Sequence, residues 1–457
     1  MADNDVAGLM VSVSGVRGRV GEALTPERIG AFAAQFGSWA IHASGRTTIV
    51  VGRDSRVSGP MFHRAVVAAL QSVGATVIDV GLAPTPTIQL AVEHHHAAGG
   101  LAITASHNPI EWNALKFIGP SGLFLSADEG AAMRAAPVVR ATWDKLGAVV
   151  GDDAAVKRHL DLVLKLPFID VDRIRRRGFR VALDCVRGAG SVIMPELLER
   201  LGCAVSAINL EPDGRFPRPP EPVAENLGAL EALVRESKAD IGFAVDPDVD
   251  RLAVVDETGR AIGEDYTLAL AATAVLRRRR GPVVTNLSTS RVVADAAEAA
   301  GVEIVRAPVG EVNVALKMRE VGAAIGGEGN GGVILPDLHL GRDAPVGAAL
   351  LLQLLAEDGV PLSRLIADRP RYAIVKDKLD RPSGPLAGVY DALRTEFPDA
   401  GVDTQDGLWL GWDDRWVHIR PSGTEPIVRV IAEAPTAAEA RTLIARARQP
   451  LDLLVRA

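Results

Sequence analysis

The chain has 457 residues, more than one hydrophobic core of ordinary size serves, so three or four domains are expected. Hydrophobic residues make up 48% and charged residues 23%, a globular balance that excludes wholesale disorder. The formal charge of -7 comes without a basic tract, which argues against a nucleic-acid partner, so any anion must be met by locally gathered cations.

The opening Met1-Ala2-Asp3-Asn4-Asp5 is acidic and lacks the charged-then-apolar layout of a signal peptide. The apolar run from Ala348 to Leu355 is too short to span a bilayer. No membrane partner and a cytoplasmic location are the expectation. Cys185 and Cys203 form neither a disulfide framework nor a zinc set, and they read as small buried hydrophobes.

In chain order, 48–51, 76–80 and 101–104 read as strands, with helical spacing over 62–73 and 85–95 between them. The pattern restarts with strands at 179–184, 204–208 and 239–245 and helices from 188 to 201 and over 227–234. A third round has strands at 282–285, 302–305 and 323–325, with helices over 291–300 and 311–320. Alternation of this kind predicts α/β architecture: three related, doubly wound units with parallel sheets. Beyond about residue 370 the strands 371–375, 408–410, 416–420 and 427–432 cluster, with helices at 386–396 and 437–454. That predicts a smaller C-terminal α+β domain. The expected domains are 1–152, 153–256, 257–369 and 370–457.

Four loops carry candidate chemistry. Thr104-Ala105-Ser106-His107-Asn108-Pro109 leaves the run Gly99 to Ile103, at the strand edge where open α/β sheets bind ligands. Ser106 is either a nucleophile there or part of an ordinary Asn-Pro turn. Asp246-Pro247-Asp248-Val249-Asp250-Arg251 follows another strand, and residues two apart in extended chain point the same way. Three converging carboxylates repel unless a cation sits among them, and oxygen-only ligands suit Mg²⁺; the alternative is a solvated acidic turn. A calcium-binding helix-loop-helix is rejected, because Arg251 stands where its glycine is needed and 252–255 reads as a strand.

Gly326-Gly327-Glu328-Gly329-Asn330-Gly331-Gly332 lets backbone approach a ligand, with Glu328 and Asn330 suited to sugar hydroxyls. It lacks nucleotide-loop spacing. Arg420-Pro421-Ser422-Gly423-Thr424-Glu425-Pro426, with Arg429 beyond, is either a phosphate cradle or a Pro-Ser-Gly turn with one ion pair. His94-His95-His96 has no matching ligand set elsewhere and reads as a helix end, with metal binding as the lesser alternative.

In this order the four loops resemble those of the α-D-phosphohexomutase family, over nearly the whole chain. Supporting stretches are Ser14-Gly15-Val16-Arg17-Gly18, Gly52-Arg53-Asp54-Ser55-Arg56, Pro212-Asp213-Gly214 and Pro220-Glu221-Pro222 with Glu225-Asn226-Leu227. The resemblance implies a heart-shaped, four-domain enzyme with its active site in a central cleft. Ser106 would carry a phosphoryl group, and Asp246, Asp248 and Asp250 would hold one Mg²⁺ against it. Glu328 and Asn330 would grip the sugar, while Arg420, Ser422, Gly423, Thr424 and Arg429 would hold the non-reacting phosphate. Arg17 and Arg251 would spread charge on the moving group.

Such an enzyme interconverts hexose 6- and 1-phosphates through a hexose 1,6-bisphosphate. The variant sugar loop and Glu111-Trp112-Asn113-Ala114-Leu115-Lys116 look most like the archaeal-type phosphoglucosamine mutases, with phosphomannomutase or phosphoglucomutase as the alternative. A metal-dependent sugar phosphatase and a non-catalytic sugar-phosphate sensor are more distant readings. Asn330 replaces the family's usual serine and Gly332 its usual histidine, which puts the acid/base group in doubt. Lys116 is the first choice, on the expectation that low dielectric and nearby cations lower its pKa. His107 and His339 are the others, with His339 favoured as a turn residue. A monomer or homodimer is expected.

Overall fold

The computed structural model describes residues 8–12, 15–381, 385–422 and 427–456, which form sheets of seven, four, four and five strands. The first three sheets share one plan. In each, three parallel strands lie with the first between the third and the second, and a fourth runs antiparallel beside the third. These strands are Thr48–Arg53, Thr76–Leu82, Gly99–Ile103 and Trp112–Ile118 in the first sheet. They are Arg180–Asp184, Ala204–Ile208, Ile241–Val245 and Leu252–Asp256 in the second, and Val283–Asn286, Ile304–Ala307, Ile325–Glu328 and Gly332–Ile334 in the third.

Three related units are thus present, but the expectation of parallel sheets needs correcting at the fourth strand. Loop length is the reason. A connection of a few residues returns the chain antiparallel, whereas a parallel partner requires a crossover of a dozen or more. The serine, triple-aspartate and glycine-rich loops are therefore the same connection in three successive units, each at the carboxyl end of the third strand.

The first sheet also carries Met10–Ser12, Gly15–Arg19 and Val149–Gly151 at its edges, none expected from periodicity. The helix Pro26–Ser44 was likewise unplaced. Its signals are local: Thr25 caps it, Pro26 opens it, Ile29, Phe32, Ala33, Phe36 and Ala40 are buried, and left-handed Gly45 closes it. The last sheet is wholly antiparallel, built from Ala373–Asp380, Gly401–Asp403, Leu408–Gly411, Trp416–Pro421 and Ile427–Ala434. With the helices Ala387–Glu396 and Ala437–Arg456 it makes the expected α+β unit.

The apolar run around residue 350 is a buried helix, Ala344–Asp358, in a core that the second and third units share. Each of its buried leucines contributes about 2 kcal/mol. Its one interior polar residue is satisfied: Gln353 accepts from the Asp170 N–H at 2.8 Å and donates to Glu357 at 2.7 Å. Among the described residues, no helix is long and apolar enough to cross a membrane.

Candidate active site

Ser106 adopts φ 47°, a left-handed conformation that costs a non-glycine residue about 1–2 kcal/mol. Two anchors hold it there. Thr104 Oγ1 accepts from the Ser106 N–H at 2.9 Å and donates to Asp54 Oδ2 at 2.6 Å. Arg56 is fully buried, pairs with Asp54, and donates to the carbonyls of Ser106 (2.6 Å), Asn108 (2.6 Å), Pro109 (2.7 Å) and Trp112 (2.8 Å). The stretch Gly52 to Arg56, noted only by resemblance, is thus the scaffold of the serine loop. It aims Ser106 Oγ at the second unit, where it donates to Asp246 Oδ2 at 2.7 Å.

Asp246, Asp248 and Asp250 are all buried, with ligand oxygens within 4.8 Å of one another. Burial excludes the solvated-turn reading. Between them Val249 has φ 65°, an outlier for a β-branched residue, and its carbonyl accepts from Ala344 N–H at 3.2 Å. Burial and repulsion from Asp250 and Asp248 push the Asp246 carboxyl well above the usual range. Burial acts the same way on Asp248, but the Lys116 ammonium overcomes it and holds that carboxyl below its ordinary value.

Asp248 Oδ1 and Asp250 Oδ1 are buried with no hydrogen-bond partner among the described residues. An orphaned buried acceptor costs about 1–3 kcal/mol or more, and a hard divalent cation would satisfy both. The donor set fits Mg²⁺. The strand Leu252–Asp256 follows the loop, so the rejection of a calcium helix-loop-helix stands.

Lys116 Nζ lies 2.7 Å from Asp248 Oδ2 and 3.8 Å from Asp250 Oδ2. Burial disfavours its charge, yet these carboxylates outweigh burial and raise its pKa, against the expected lowering. His107 Nδ1 is 3.4 Å from Ser106 Oγ; burial, then Arg251 and Arg342, push its pKa down to about 2, so the ring is neutral. Burial and the neighbouring Arg251 also lower that of Arg17. Ser106, His107, Lys116 and Arg17 of the first unit, Arg251 of the second, and Glu328 and Asn330 of the third line one cavity of about 650 Å³.

In the sugar loop, Glu328 Oε1 accepts from Asn286 Nδ2 at 2.8 Å and from the Gly310 N–H at 3.2 Å. Glu328 Oε2 accepts from Arg342 Nη1 at 2.7 Å. Burial would raise the Glu328 pKa, but Arg342 leads the groups that bring it below the usual value. Arg342, missed by sequence reasoning, also reaches Asp250 Oδ2 at 2.5 Å and Glu311 Oε2 at 3.0 Å. Nothing local marks it, because Asp250 lies in a different unit. His339 does not line the cavity. Its Nε2 is 3.0 Å from Asp343 Oδ2, shared with His159 Nε2 at 2.8 Å, a structural network.

Arg420, Ser422 and Arg429 are not among the residues lining this cavity, and Gly423 and Thr424 lie outside the described residues. Ser422 N–H bonds the Ile427 carbonyl at 2.8 Å across the loop. Arg420 Nε donates to Asp406 Oδ2 at 2.8 Å, and the same oxygen accepts from Val309 N–H at 3.1 Å. Since Gly310 bonds Glu328, the strand carrying Arg420 is wired to the loop of Glu328. Arg420 lies opposite Arg429, and Arg429 opposite Lys378 on the next strand, three cations abreast. Arg420 is already paired with Asp406, and a row of cations on one face of a sheet is suited to an anion. Lys378 joins this row only through cross-strand register, which is not visible in one sequence.

The remaining candidates resolve simply. His94 ends the helix Thr85–His94, and His95 Nε2 pairs with Asp152 at 2.8 Å. Both cysteines are buried and free. Among the described residues, the three aspartates are the only group of three or more His, Cys, Asp or Glu side chains close enough to hold a metal.

Residues 9–136, 157–259 and 263–372 match models of phosphoglucomutase/phosphomannomutase α/β/α domains I, II and III, and 387–449 match the C-terminal domain. A phosphoglucomutase/phosphomannomutase of Thermococcus kodakarensis is 40% identical over 443 residues, covering 95% of this chain and 96% of that protein. A probable phosphoglucosamine mutase of Methanopyrus kandleri is 38% identical over 443 residues, with coverages of 95% and 96%. The crystal structure of a phosphoglucomutase/phosphomannomutase family protein from Burkholderia thailandensis superposes with a TM-score of 0.83 at 27% identity, covering 97% of each chain. Serine, aspartate and sugar loops converging in one cavity, together with these matches, place the chain in the phosphoglucomutase/phosphomannomutase family: it is a phosphohexomutase.

Proposed function

We propose that this phosphohexomutase converts glucosamine 6-phosphate to glucosamine 1-phosphate through a phosphoserine at Ser106 and a hexose 1,6-bisphosphate, which also serves as its activator. The carrying observation is Ser106 Oγ at 2.7 Å from Asp246, inside a carboxylate cluster suited to a divalent cation. Relatives named phosphoglucosamine mutase, including that of Methanopyrus kandleri, support the choice of sugar.

One Mg²⁺ per chain, held by Asp246, Asp248, Asp250 and a phosphate oxygen on Ser106, would neutralise charge on the transferring group. A sugar hydroxyl attacks the phosphorus, the Oγ–phosphorus bond breaks, and one proton moves overall from that hydroxyl to Ser106 Oγ. Lys116 is the proposed carrier. As an ammonium it gives its proton to the departing Oγ and regains one from the hydroxyl. His107, kept neutral, packs against the serine, while Arg17 and Arg251 spread the charge. Glu328 and Asn330 grip the sugar hydroxyls. Arg420, Ser422, Gly423, Thr424, Arg429 and Lys378 hold the other phosphate, and because they read phosphate rather than one end of the sugar, the bisphosphate can turn and bind reversed.

The segments 1–152, 153–256, 257–369 and 370–457 are the proposed units of a monomer or homodimer working in the cytoplasm. The second reading is a phosphomannomutase/phosphoglucomutase, favoured by the Thermococcus kodakarensis relative. Assays with glucosamine, mannose and glucose 6-phosphates, Mg²⁺ and a trace of bisphosphate decide. Fastest conversion of the glucosamine ester supports the proposal, and preference for either other sugar overturns it. Inorganic phosphate outpacing isomer formation would instead indicate a phosphatase.

A further inference from the structure

The Arg342 side chain crosses from the third unit to the second. Its three guanidinium nitrogens each meet a different carboxylate: Nε with Glu311 (3.0 Å), Nη1 with Glu328 (2.7 Å) and Nη2 with Asp250 (2.5 Å). Glu328 belongs to the sugar loop and Asp250 to the aspartate cluster. The guanidinium thus spans the floor of the cavity between the two binding functions, and Arg342 also lines that cavity.

Its backbone is fixed on both sides. Arg342 N–H donates to Glu311 Oε1 at 3.2 Å, and Asp343 N–H donates to the Val333 carbonyl at 2.8 Å. Asp343 also caps the helix Ala344–Asp358, accepting from Val346 N–H at 3.0 Å. The shaft of the side chain passes directly over Gly332, where an added Cβ would run into Arg342 Cδ and then Cγ. Those atoms lie mid-chain on a residue pinned at three nitrogens, so they cannot swing aside cheaply.

We propose that Arg342 is a positioning residue that ties the sugar loop to the metal loop, so that a divalent cation on the aspartates and a sugar phosphate on Glu328 strengthen each other's binding, and that Gly332 is a glycine to let it through. The inference rests on the proposed sugar-phosphate reading of the cavity. The planar fork is what makes the coupling possible: it meets carboxylates in fixed relative directions, so displacing one partner displaces the others. A lone counter-ion for buried acids would affect stability and cation affinity, but not the dependence of one ligand on the other. By linkage that dependence is reciprocal, and one coupling factor describes both directions.

The test uses the full chain carrying Ser106→Ala, so that no phosphoryl transfer disturbs equilibrium. Calorimetry measures binding of glucosamine, mannose and glucose 6-phosphates in turn, with and without Mg²⁺, and melting curves confirm folding. The parent is expected to show coupling of at least about 5-fold. In Arg342→Gln and in Arg342→Lys, which keeps the charge but not the fork, the factor is expected to fall to near one.

Gly332→Ala gives a second route should the Arg342 variants not fold. Alone it should cut the coupling, while in an Arg342→Ala background the added methyl should cost nothing further. A parent that binds both ligands without coupling, or a folded Arg342 variant that keeps it, overturns the inference and leaves the proposed function standing. A parent that binds neither Mg²⁺ nor any of the three sugar phosphates overturns both.

Discussion

Arg56 Nη2 donates to the Ser106 carbonyl at 2.6 Å, so the backbone carrying the hydroxyl proposed to react hangs from a guanidinium that water does not reach. Removing that group strands Asp54 as a buried, unpaired carboxylate and frees four loop carbonyls. Arg56→Met, which roughly keeps the volume, is expected to destabilise the protein by about 3–5 kcal/mol. In the fraction that stays folded, phosphate on Ser106 should fall. Denaturant unfolding and intact-mass spectrometry check both, and unchanged values would refute the scaffold role.

Asp248 meets Lys116 at 2.7 Å and Thr85 Oγ1 at 2.7 Å, leaving Oδ1 toward the proposed cation. Asp248→Asn should lower turnover by roughly 100-fold or more and weaken Mg²⁺ binding, while circular dichroism stays that of the wild type. Calorimetric titration with Mg²⁺ reads the second effect independently of activity. Wild-type affinity and turnover would rule out the metal assignment.

The row Lys378, Arg429 and Arg420 predicts a different pattern. Lys378→Ala would remove one charge-assisted contact to the phosphate proposed to bind there, worth about 1.5–3 kcal/mol. KM for the sugar phosphate should rise roughly tenfold or more, with a smaller change in kcat, while thermal stability stays within about 0.5 kcal/mol, as for an exposed side chain. Steady-state kinetics and a melting curve are enough. An unchanged KM would remove Lys378 from the cradle.

Asp265 lies beneath the sugar loop, close under Gly329, and accepts from Ser290 N–H at 2.8 Å. Burial, with Glu433 and Glu264 nearby, pushes its carboxyl up to about 8. The native state therefore holds this proton more tightly than the unfolded chain, whose Asp titrates near about 3.9. Its contribution to stability is full below that value and is lost as pH rises through about 8. Asp265→Asn should thus raise the melting temperature at pH 8.5 by a few degrees, roughly 3 °C, and change it less at pH 5. A larger gain at pH 5 than at pH 8.5 would reverse the sign and refute the assignment.

The parts legible from sequence were those written in short-range pattern. The strands that lead to Ser106, Asp246 and Glu328 show as β-rich runs before glycine- or aspartate-rich turns, and the loops themselves carry recognisable chemistry. What pairing decides was not legible. Trp112–Ile118, Leu252–Asp256 and Gly332–Ile334 run antiparallel because of loop length and register, which periodicity does not encode. Arg342 and Lys378 were missed for the same reason, since their partners are distant in sequence or across a strand. Lys116 was found, but its pKa direction was misjudged because Asp248 and Asp250 come from another unit. The helix Pro26–Ser44 is a plainer omission, for its Thr-Pro-Glu start and apolar spacing were in view.

The central claim is that Ser106 gives and takes back a phosphoryl group. Intact-mass measurement of the protein after exposure to a hexose 1,6-bisphosphate and Mg²⁺ tests it most directly. The wild type should gain one phosphoryl group, located to Ser106 by peptide mapping, lose it to added sugar phosphate rather than to water, and show no gain as Ser106→Ala. A phosphoryl group that persists in Ser106→Ala, or that leaves the wild type only as inorganic phosphate, would contradict the account.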